Sequence, residues 1–403
     1  MEKGAFYENA RGDLTGPLSG IKVIEATTTW AGPMVGCILG DLGAEVLKVE
    51  HPKGELSRSF RPQLPNSKLN VPHETVNRNK QNLSLDLKHP KAREIFLQLC
   101  TKADIVVENF KPGTLSKWGI GYQEVSSVKP DIIYLSISMF GQYGPLSKRP
   151  GYDPLAQNFT GWSSLNGPPS IGSTKAPTWL ADDLSGLHGV IGALAALTHR
   201  NETGEGQHVD VSLVDSLLFQ SNGFLTSGSL DIPLQKLGNR SAITDPVNVY
   251  KCMDGEVFVA ALLQNHWKAL SVLIDKKELS DLSADQRKSK RDYIDTVVAD
   301  WCLNKSTERV VTELSAAGIA VTKVNTFKEA AQHAQVNNRD MLQEVKLSDG
   351  QLAPLTGPPT KFSKTPTRIR SGAPKVGAHN DEVLGALGFS GKDLIQLKKE
   401  GVI

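Results

Sequence analysis

The sequence predicts an α/β protein, with a Rossmann-like parallel sheet in a large N-terminal domain and a smaller α+β domain behind it. Three observations carry that expectation. Short β-branched runs alternate with helical segments of about ten residues over the first two-fifths of the chain, the pattern of a sheet covered on both faces. The texture changes near Asn222, where periodic hydrophobicity gives way to Gly, Ser, Pro and Asn. Beyond that point comes a hairpin followed by helices instead of further strand–helix alternation.

The elements follow in order. Residues 21–25 (Ile-Lys-Val-Ile-Glu) read as the first strand, and Gly32-Pro33 opens a helix through Leu42, with proline where a first helical turn tolerates it. Gly43 ends that helix, and residues 44–50 form the second strand. Residues 91–99 are helical, and residues 104–109 and 131–137 are the next two strands. Ligands of parallel sheets bind beyond the carboxyl ends of the strands, so the candidate site loops follow Glu25, Glu50, Asn109 and Ser138.

Residues 1–222 make the large domain and 223–247 a linker. Residues 248–330 make the small domain. It has a hairpin of 249–252 with 257–260 through Met253-Asp254-Gly255, helices at 266–274, 292–301 and 307–317, and a strand at 319–324. Residues 331–378 read as a second linker, rich in proline (Pro354, Pro358, Pro359, Pro366, Pro374), leading to terminal helices in 379–403 that rejoin the large domain. So long a structureless stretch is expected only where the chain returns over another surface or another subunit.

At 403 residues, 39% hydrophobic and 22% charged, with a net charge of +2, the chain has the makeup of a soluble globular protein and not of a nucleic-acid or membrane-surface binder. Cys37, Cys100, Cys252 and Cys302 are far apart, with no histidine at ligand spacing, so neither a disulfide framework nor a metal site is expected. Cys37 and Cys100 lie on apolar helix faces as packing residues. Met1-Glu2-Lys3-Gly4-Ala5 has no apolar signal core, and no stretch approaches ~18 uninterrupted apolar residues. A cytoplasmic protein is the expectation. The first strand is followed by Ala26-Thr27-Thr28-Thr29-Trp30-Ala31-Gly32-Pro33, with no Gly-x-Gly-x-x-Gly fingerprint, and no P-loop occurs either, which argues against a nicotinamide or flavin role.

Asp182 is the leading candidate for chemistry. It lies in Thr178-Trp179-Leu180-Ala181-Asp182-Asp183-Leu184-Ser185-Gly186, ahead of an apolar helical segment at 189–197. A carboxylate just before a helix sits among unpaired backbone N–H groups, which would hold it ionised and still, as a carboxylate nucleophile requires. The plain alternative is a helix cap, a role open to Asp182 or Asp183.

Several strings along nearly the whole chain carry a resemblance. They are Gly20-Ile21-Lys22-Val23-Ile24-Glu25 with Ala31-Gly32-Pro33, Leu42-Gly43-Ala44 through Glu50, and Asn79-Lys80 with Leu85-Asp86-Leu87-Lys88. Val107-Glu108-Asn109-Phe110-Lys111-Pro112-Gly113 and Gly151-Tyr152-Asp153 with Gln157 complete the set. Together they resemble the family III coenzyme A transferases, the group of formyl-CoA and carnitine CoA transferases. In the small domain, Tyr250-Lys251-Cys252 with Asp254-Gly255 looks closest to the carnitine branch.

The resemblance implies an enzyme that moves CoA between carboxylic acids through covalent intermediates on Asp182, with CoA and acyl-CoA as substrates and no metal. It implies that Trp30, Ala31, His51, Lys88, Asn109, Phe110, Lys111, Lys117, Tyr152 and Asp153 bind CoA. Lys88 and Lys117 would pair with phosphates, and His51 stands where some relatives have arginine. It also implies an interlinked homodimer, with a hetero-oligomer of related subunits as the alternative.

Formate and oxalate enzymes of the family carry a run of glycines, whereas residues 230–249 contain only Gly238, so larger acids are expected. Trp30, Trp162 and Trp179 are candidates for a bulky or aromatic acyl pocket, and Arg240 or Lys175 for a second carboxylate. Three rivals remain. An α-methylacyl-CoA racemase shares the fold but has histidine where Tyr152 stands, a non-catalytic CoA-binding subunit would have no use for Asp182, and a thioesterase would admit water to the acyl intermediate.

Overall fold

The structure is a computed structural model describing residues 1–403. β1 (Lys22–Ala26) is flanked by hydrogen-bonded neighbours on both sides, with Val23 opposite Val46 in one direction and Ile105 in the other. With β2 (Glu45–Glu50), β3 (Lys80–Ser84), β4 (Ile105–Glu108), β5 (Ile133–Ser138) and β6 (Gln207–Ser212), it forms one all-parallel sheet in the order β3-β2-β1-β4-β5-β6. This is the doubly wound order. Its winding reverses between β1 and β4, the point at which sheets of this order bind their ligands.

Alternate residues of each strand feed two cores, which is why the strands read as continuous apolar runs. Val23, Val107 and Leu135 pack under the helices Ala31–Asp41 and Leu180–Thr203. Ile24, Val106 and Tyr134 pack under the helix Pro90–Cys100 and the terminal helices Asn380–Gly385 and Gly391–Lys399. The Leu180–Thr203 helix is long and apolar enough to cross a bilayer, yet Val190, Ala193 and Leu197 are turned onto the sheet. Gly189 permits the approach, since a Cβ there would sit 2.9 Å from Val35 Cγ2.

The chain divides into two compact units. Met1–Trp162, Ala176–Thr226 and Gln335–Ile403 make one, and Ser163–Lys175 with Ser227–Ala334 the other. The smaller unit has an antiparallel sheet of β7 (Val247–Cys252), β8 (Gly255–Ala260) and β9 (Ala320–Lys323). Its helices Gln264–Leu273, Arg291–Leu303 and Thr307–Ala316 close over Val257, Trp267, Val298 and Leu314.

Residues expected to be structureless between 331 and 378 are not. The helix Ala334–Asn338 is followed by an antiparallel hairpin of β10 (Leu342–Lys346) and β11 (Leu352–Thr356). Val345, Ala353 and Leu355 of the hairpin pack with Leu347 and Leu64. Pro354 is tolerated because a two-stranded sheet has only edges. Similarly, the expected 223–247 linker contains the helix Phe224–Ser229.

The return segment covers the exposed edge of β3. Backbone N–H groups of Asn82 and Ser84 donate to His379 Nδ1 (3.1 Å) and Asn380 Oδ1 (2.9 Å). Asn79, held at φ 60, accepts from the N–H groups of Arg370 and Ser371 and donates to Asp41. An edge strand paired this way offers nothing to another chain's strand.

Candidate active site

At the switch point, the chain leaves β1 over a buried ionic cluster. Glu25 is fully buried, with Lys48 Nζ at 3.0 Å from one oxygen and Lys80 Nζ at 2.6 Å from the other. The Thr27 hydroxyl donates to Glu25 (2.6 Å), and Lys48 also donates to the Thr27 carbonyl (3.2 Å). Gly36 is required above the cluster, because a Cβ there would occupy the space of the Glu25 carboxylate. Buried ions are retained only when their geometry and hydrogen bonds are complete, so this cluster rigidifies the ground beneath the next turn.

That turn is fixed from both sides. The Asn109 side chain accepts from Thr28 N–H (2.9 Å) and donates to Thr28 C=O (2.8 Å). Glu55 accepts from Thr29 N–H (2.8 Å) and from the Thr28 hydroxyl (3.0 Å). Thr29 has φ 74, a strained conformation for a β-branched residue that persists because its surroundings determine it. Trp30 follows, and Ala31 begins the Ala31–Asp41 helix.

Asp182 stands in the first turn of the Leu180–Thr203 helix, which starts two residues before it. Neither it nor Asp183 is the cap: Trp179 occupies that place and makes no side-chain cap bond. The orphan N–H of Ala181 is taken by Asp153, buried at the start of the helix Asp153–Phe159, through Oδ2 at 2.6 Å. Gln157 Nε2 donates to Asp153 Oδ1 at 2.6 Å and so fixes that carboxylate. Asp183 Oδ1 accepts the indole N–H of Trp30 at 2.7 Å.

The expectation that helix N–H groups hold Asp182 ionised is overturned. Burial pushes its pKa up to about 8, and the carboxylates of Asp153 and Asp183 push in the same direction. The Asp183 pKa is raised by burial, against the Trp30 hydrogen bond. The first helical turn is close to its neighbour: a Cβ on Gly186 would lie 2.8 Å from Met34 Cγ.

The residues expected to bind CoA fall into two neighbourhoods. Trp30, buried Ala31 and Asn109 surround the turn beside Asp182 and Asp183. Asp153 is buried, its carboxylate engaged with Ala181 and Gln157 at the start of the Leu180–Thr203 helix. Exposed His51, 3.9 Å from Asp86, Lys88 and Phe110 converge elsewhere along the same edge of the sheet.

Lys88 and Phe110 share a neighbour, Trp118, which the sequence reading missed. Lys88 Nζ lies 5.9 Å from its ring centroid, and Phe110 packs edge-on at 5.3 Å. An aromatic residue next to Lys117, just past a strand-end loop, was the available signal. Lys111, Lys117 and Tyr152 are exposed. The site thus has a basic, aromatic end and an acidic end, joined through Asn109-Phe110.

The three tryptophans separate. Trp30 and Trp179 pack at 4.4 Å, whereas Trp162 packs against the core beneath the Leu180–Thr203 helix. Arg240 is committed within the small unit to Asp292 and Asp295, both at 2.8 Å, which disfavours it as a substrate receptor.

Comparisons with known proteins identify the family. The profile of CoA-transferase family III matches residues 18–380. The chain is 33% identical over 399 residues to a succinyl-CoA–L-malate CoA-transferase beta subunit of Chloroflexus aurantiacus, covering 96% of this chain and 98% of that one. It is 31% identical to a succinate–glutarate CoA-transferase of Agrobacterium fabrum, with 92% and 96% covered. A crystal structure of a CAIB/BAIF family protein from Brucella suis superposes with a TM-score of 0.83 at 29% identity, over 93% of this chain and 100% of the other. The chain belongs to CoA-transferase family III and is an enzyme that transfers CoA, with CoA thioesters as its substrates.

Proposed function

We propose that this enzyme moves CoA from succinyl-CoA to a short dicarboxylic acid through covalent intermediates on Asp182. The observation that carries the proposal is the setting of that side chain. It stands in the first turn of a core helix beside the switch point, next to two further carboxylates, and its raised pKa marks an anion poorly stabilised before substrate arrives. Such an anion is a stronger nucleophile than a solvated one.

The steps balance without a net proton. Asp182 attacks the thioester carbonyl, an oxygen–carbon bond forms, and the carbon–sulfur bond breaks with its electron pair leaving on CoA thiolate. The thiolate attacks the Asp182 carbonyl of the mixed anhydride and releases the donor acid as carboxylate. The acceptor carboxylate then attacks the aspartyl thioester, and the returning thiolate takes the acyl group from Asp182. One negative charge passes through the whole sequence. Within it, the His51, Lys88, Lys111, Lys117 and Trp118 neighbourhood would take the nucleotide end of CoA, by charge for phosphate and by stacking for adenine. The Thr28–Ala31 turn would take the thioester end.

The substrate class is supported by relatives named for succinyl-CoA, malate, glutarate and mesaconate. A second copy of the chain completes the proposal. Leu187, Ile191, Phe219 and Leu225 leave apolar side chains half or more exposed on neighbouring helices of the large unit. A related subunit as the partner is the second reading, favoured by relatives named as alpha and beta subunits. A cytoplasmic location belongs to the same proposal, since four free, buried cysteines suit a reducing compartment.

The test is a panel of dicarboxylic and monocarboxylic acids offered with succinyl-CoA, with the new acyl-CoA detected by mass spectrometry. Turnover with malate, mesaconate or glutarate, lost in Asp182→Ala, is the expected result. Faster exchange with formate or oxalate than with every dicarboxylate contradicts the substrate class.

A further inference from the structure

Helices usually carry Ser, Thr, Asp or Asn at the capping position, because the side-chain oxygen satisfies a backbone N–H the helix leaves unpaired. Both helices that begin beside Asp182 lack such a residue. Trp30 occupies the capping position of Ala31–Asp41 and Trp179 that of Leu180–Thr203, and neither side chain makes a cap bond. Where a chain breaks a local rule twice at one place, the residue is there for something other than the helix.

The two indoles meet. Their centroids are 4.4 Å apart at 62°, and Phe60 extends the row, 5.5 Å from Trp179. Trp30 is held at both ends. Its backbone follows the turn fixed by Asn109 and Glu55, and its indole N–H is held by Asp183 at 2.7 Å. The Asp183 N–H in turn donates to the Trp179 carbonyl at 2.9 Å. The neighbour of the nucleophile therefore ties the first ring in place and belongs to the same turn as the second.

We propose that Trp30 and Trp179 form an aromatic seal that keeps water from the acyl and thioester intermediates on Asp182, and so makes this enzyme a transferase and not a thioesterase. This rests on the covalent reading above. The reaction prevented is the attack of a water oxygen on the aspartyl thioester carbonyl. The carbon–sulfur bond breaks, one water proton goes to the thiolate, the other goes to solvent, and Asp182 returns as carboxylate. Ring faces offer water no strong hydrogen-bond partner, so a water molecule reaching that carbonyl arrives poorly solvated. Asp183 is the positioning residue, acting only through Trp30.

The experiment measures two rates on full-length protein with succinyl-CoA. Hydrolysis is multiple-turnover release of CoA thiol without an acceptor, corrected for breakdown without enzyme. Transfer is formation of new acyl-CoA with the acceptor found most active. Hydroxylamine trapping and peptide mapping report the intermediate on Asp182 in every variant.

Trp30→Ala and Trp179→Ala are expected to raise the ratio of hydrolysis to transfer by about tenfold or more while Asp182 is still trapped. Asp183→Ala, which removes the acceptor and frees the indole, should move the ratio the same way but less. Trp30→Phe and Trp179→Phe, which keep an aromatic face, should bring it back toward wild type. A ratio unchanged within about twofold in both alanine variants, with Asp182 still trapped, overturns the seal and leaves the covalent reading intact. Wild-type turnover with no trapping on Asp182 overturns the covalent reading, and the seal with it.

Discussion

Replacing Asp182 with asparagine should stabilise the protein, increasingly as pH rises. The side chains are nearly the same size, so the main change is loss of an ionisable group whose pKa is pushed from 3.8 to about 8, first by burial and then by Asp153 and Asp183. A group whose folded-state pKa lies above its unfolded value binds its proton on folding. Its contribution to stability is fully present below about pH 4 and is lost as pH climbs toward about 8. Each pH unit crossed costs about 1.4 kcal/mol, so the wild type is penalised relative to the variant by about 4 kcal/mol at pH 7 as a ceiling. Between pH 5 and pH 8 the gap should widen by about 4 kcal/mol, less whatever Asp153 and Asp183 share of the titration. Urea unfolding of both proteins, at one protein concentration and several pH values, measures it. A difference that stays flat with pH, or that narrows toward pH 8, refutes the argument that Asp182 is destabilised as an anion.

Three further outcomes follow from the same geometry. In the free enzyme, kcat/KM should rise with pH along a limb centred near 8 as Asp182 ionises, and Asp153→Asn should move the limb downward, because Asp153 is the foremost of the two carboxylates raising it. Glu25→Gln leaves Lys48 and Lys80 buried without their shared anion, so urea unfolding should register a loss of about 3–5 kcal/mol. Trp118→Ala, measured by steady-state kinetics, should raise KM for acyl-CoA about tenfold with kcat little changed, since a lost stacking face is worth about 1–3 kcal/mol and acts on binding alone.

Much of the large unit could be read from residue order. β1, β2, β4 and β5 are β-branched runs, and apolar strands buried on both faces leave that signature whatever lies next to them. β3 escaped because Lys80-Gln81-Asn82-Leu83-Ser84 looks like a loop. Its Lys80 and Asn82 side chains are buried, and their partners, Glu25 and Glu50, lie on other strands. β6 escaped because Gln207-His208-Val209-Asp210-Val211-Ser212 borders a turn and alternates polar with apolar.

At the site, the helix that follows Asp182 and the strings holding Asn109 and Lys88 could be read from the sequence. The cap could not. Asp153 reaches the N–H of Ala181 across 28 residues, and no local pattern reports such a contact. The same holds for Trp118, which gains its meaning only when Lys88 and Phe110 are folded around it.

The central claim is that the acyl group is carried on Asp182, and trapping tests it most directly. Wild-type enzyme is incubated with succinyl-CoA and hydroxylamine, digested, and its peptides are mapped by mass spectrometry. A hydroxamate on Asp182 alone, absent from protein incubated without acyl-CoA, is the predicted result. A hydroxamate on Asp183 or Asp153, or turnover at the normal rate with none on any aspartate, contradicts the account.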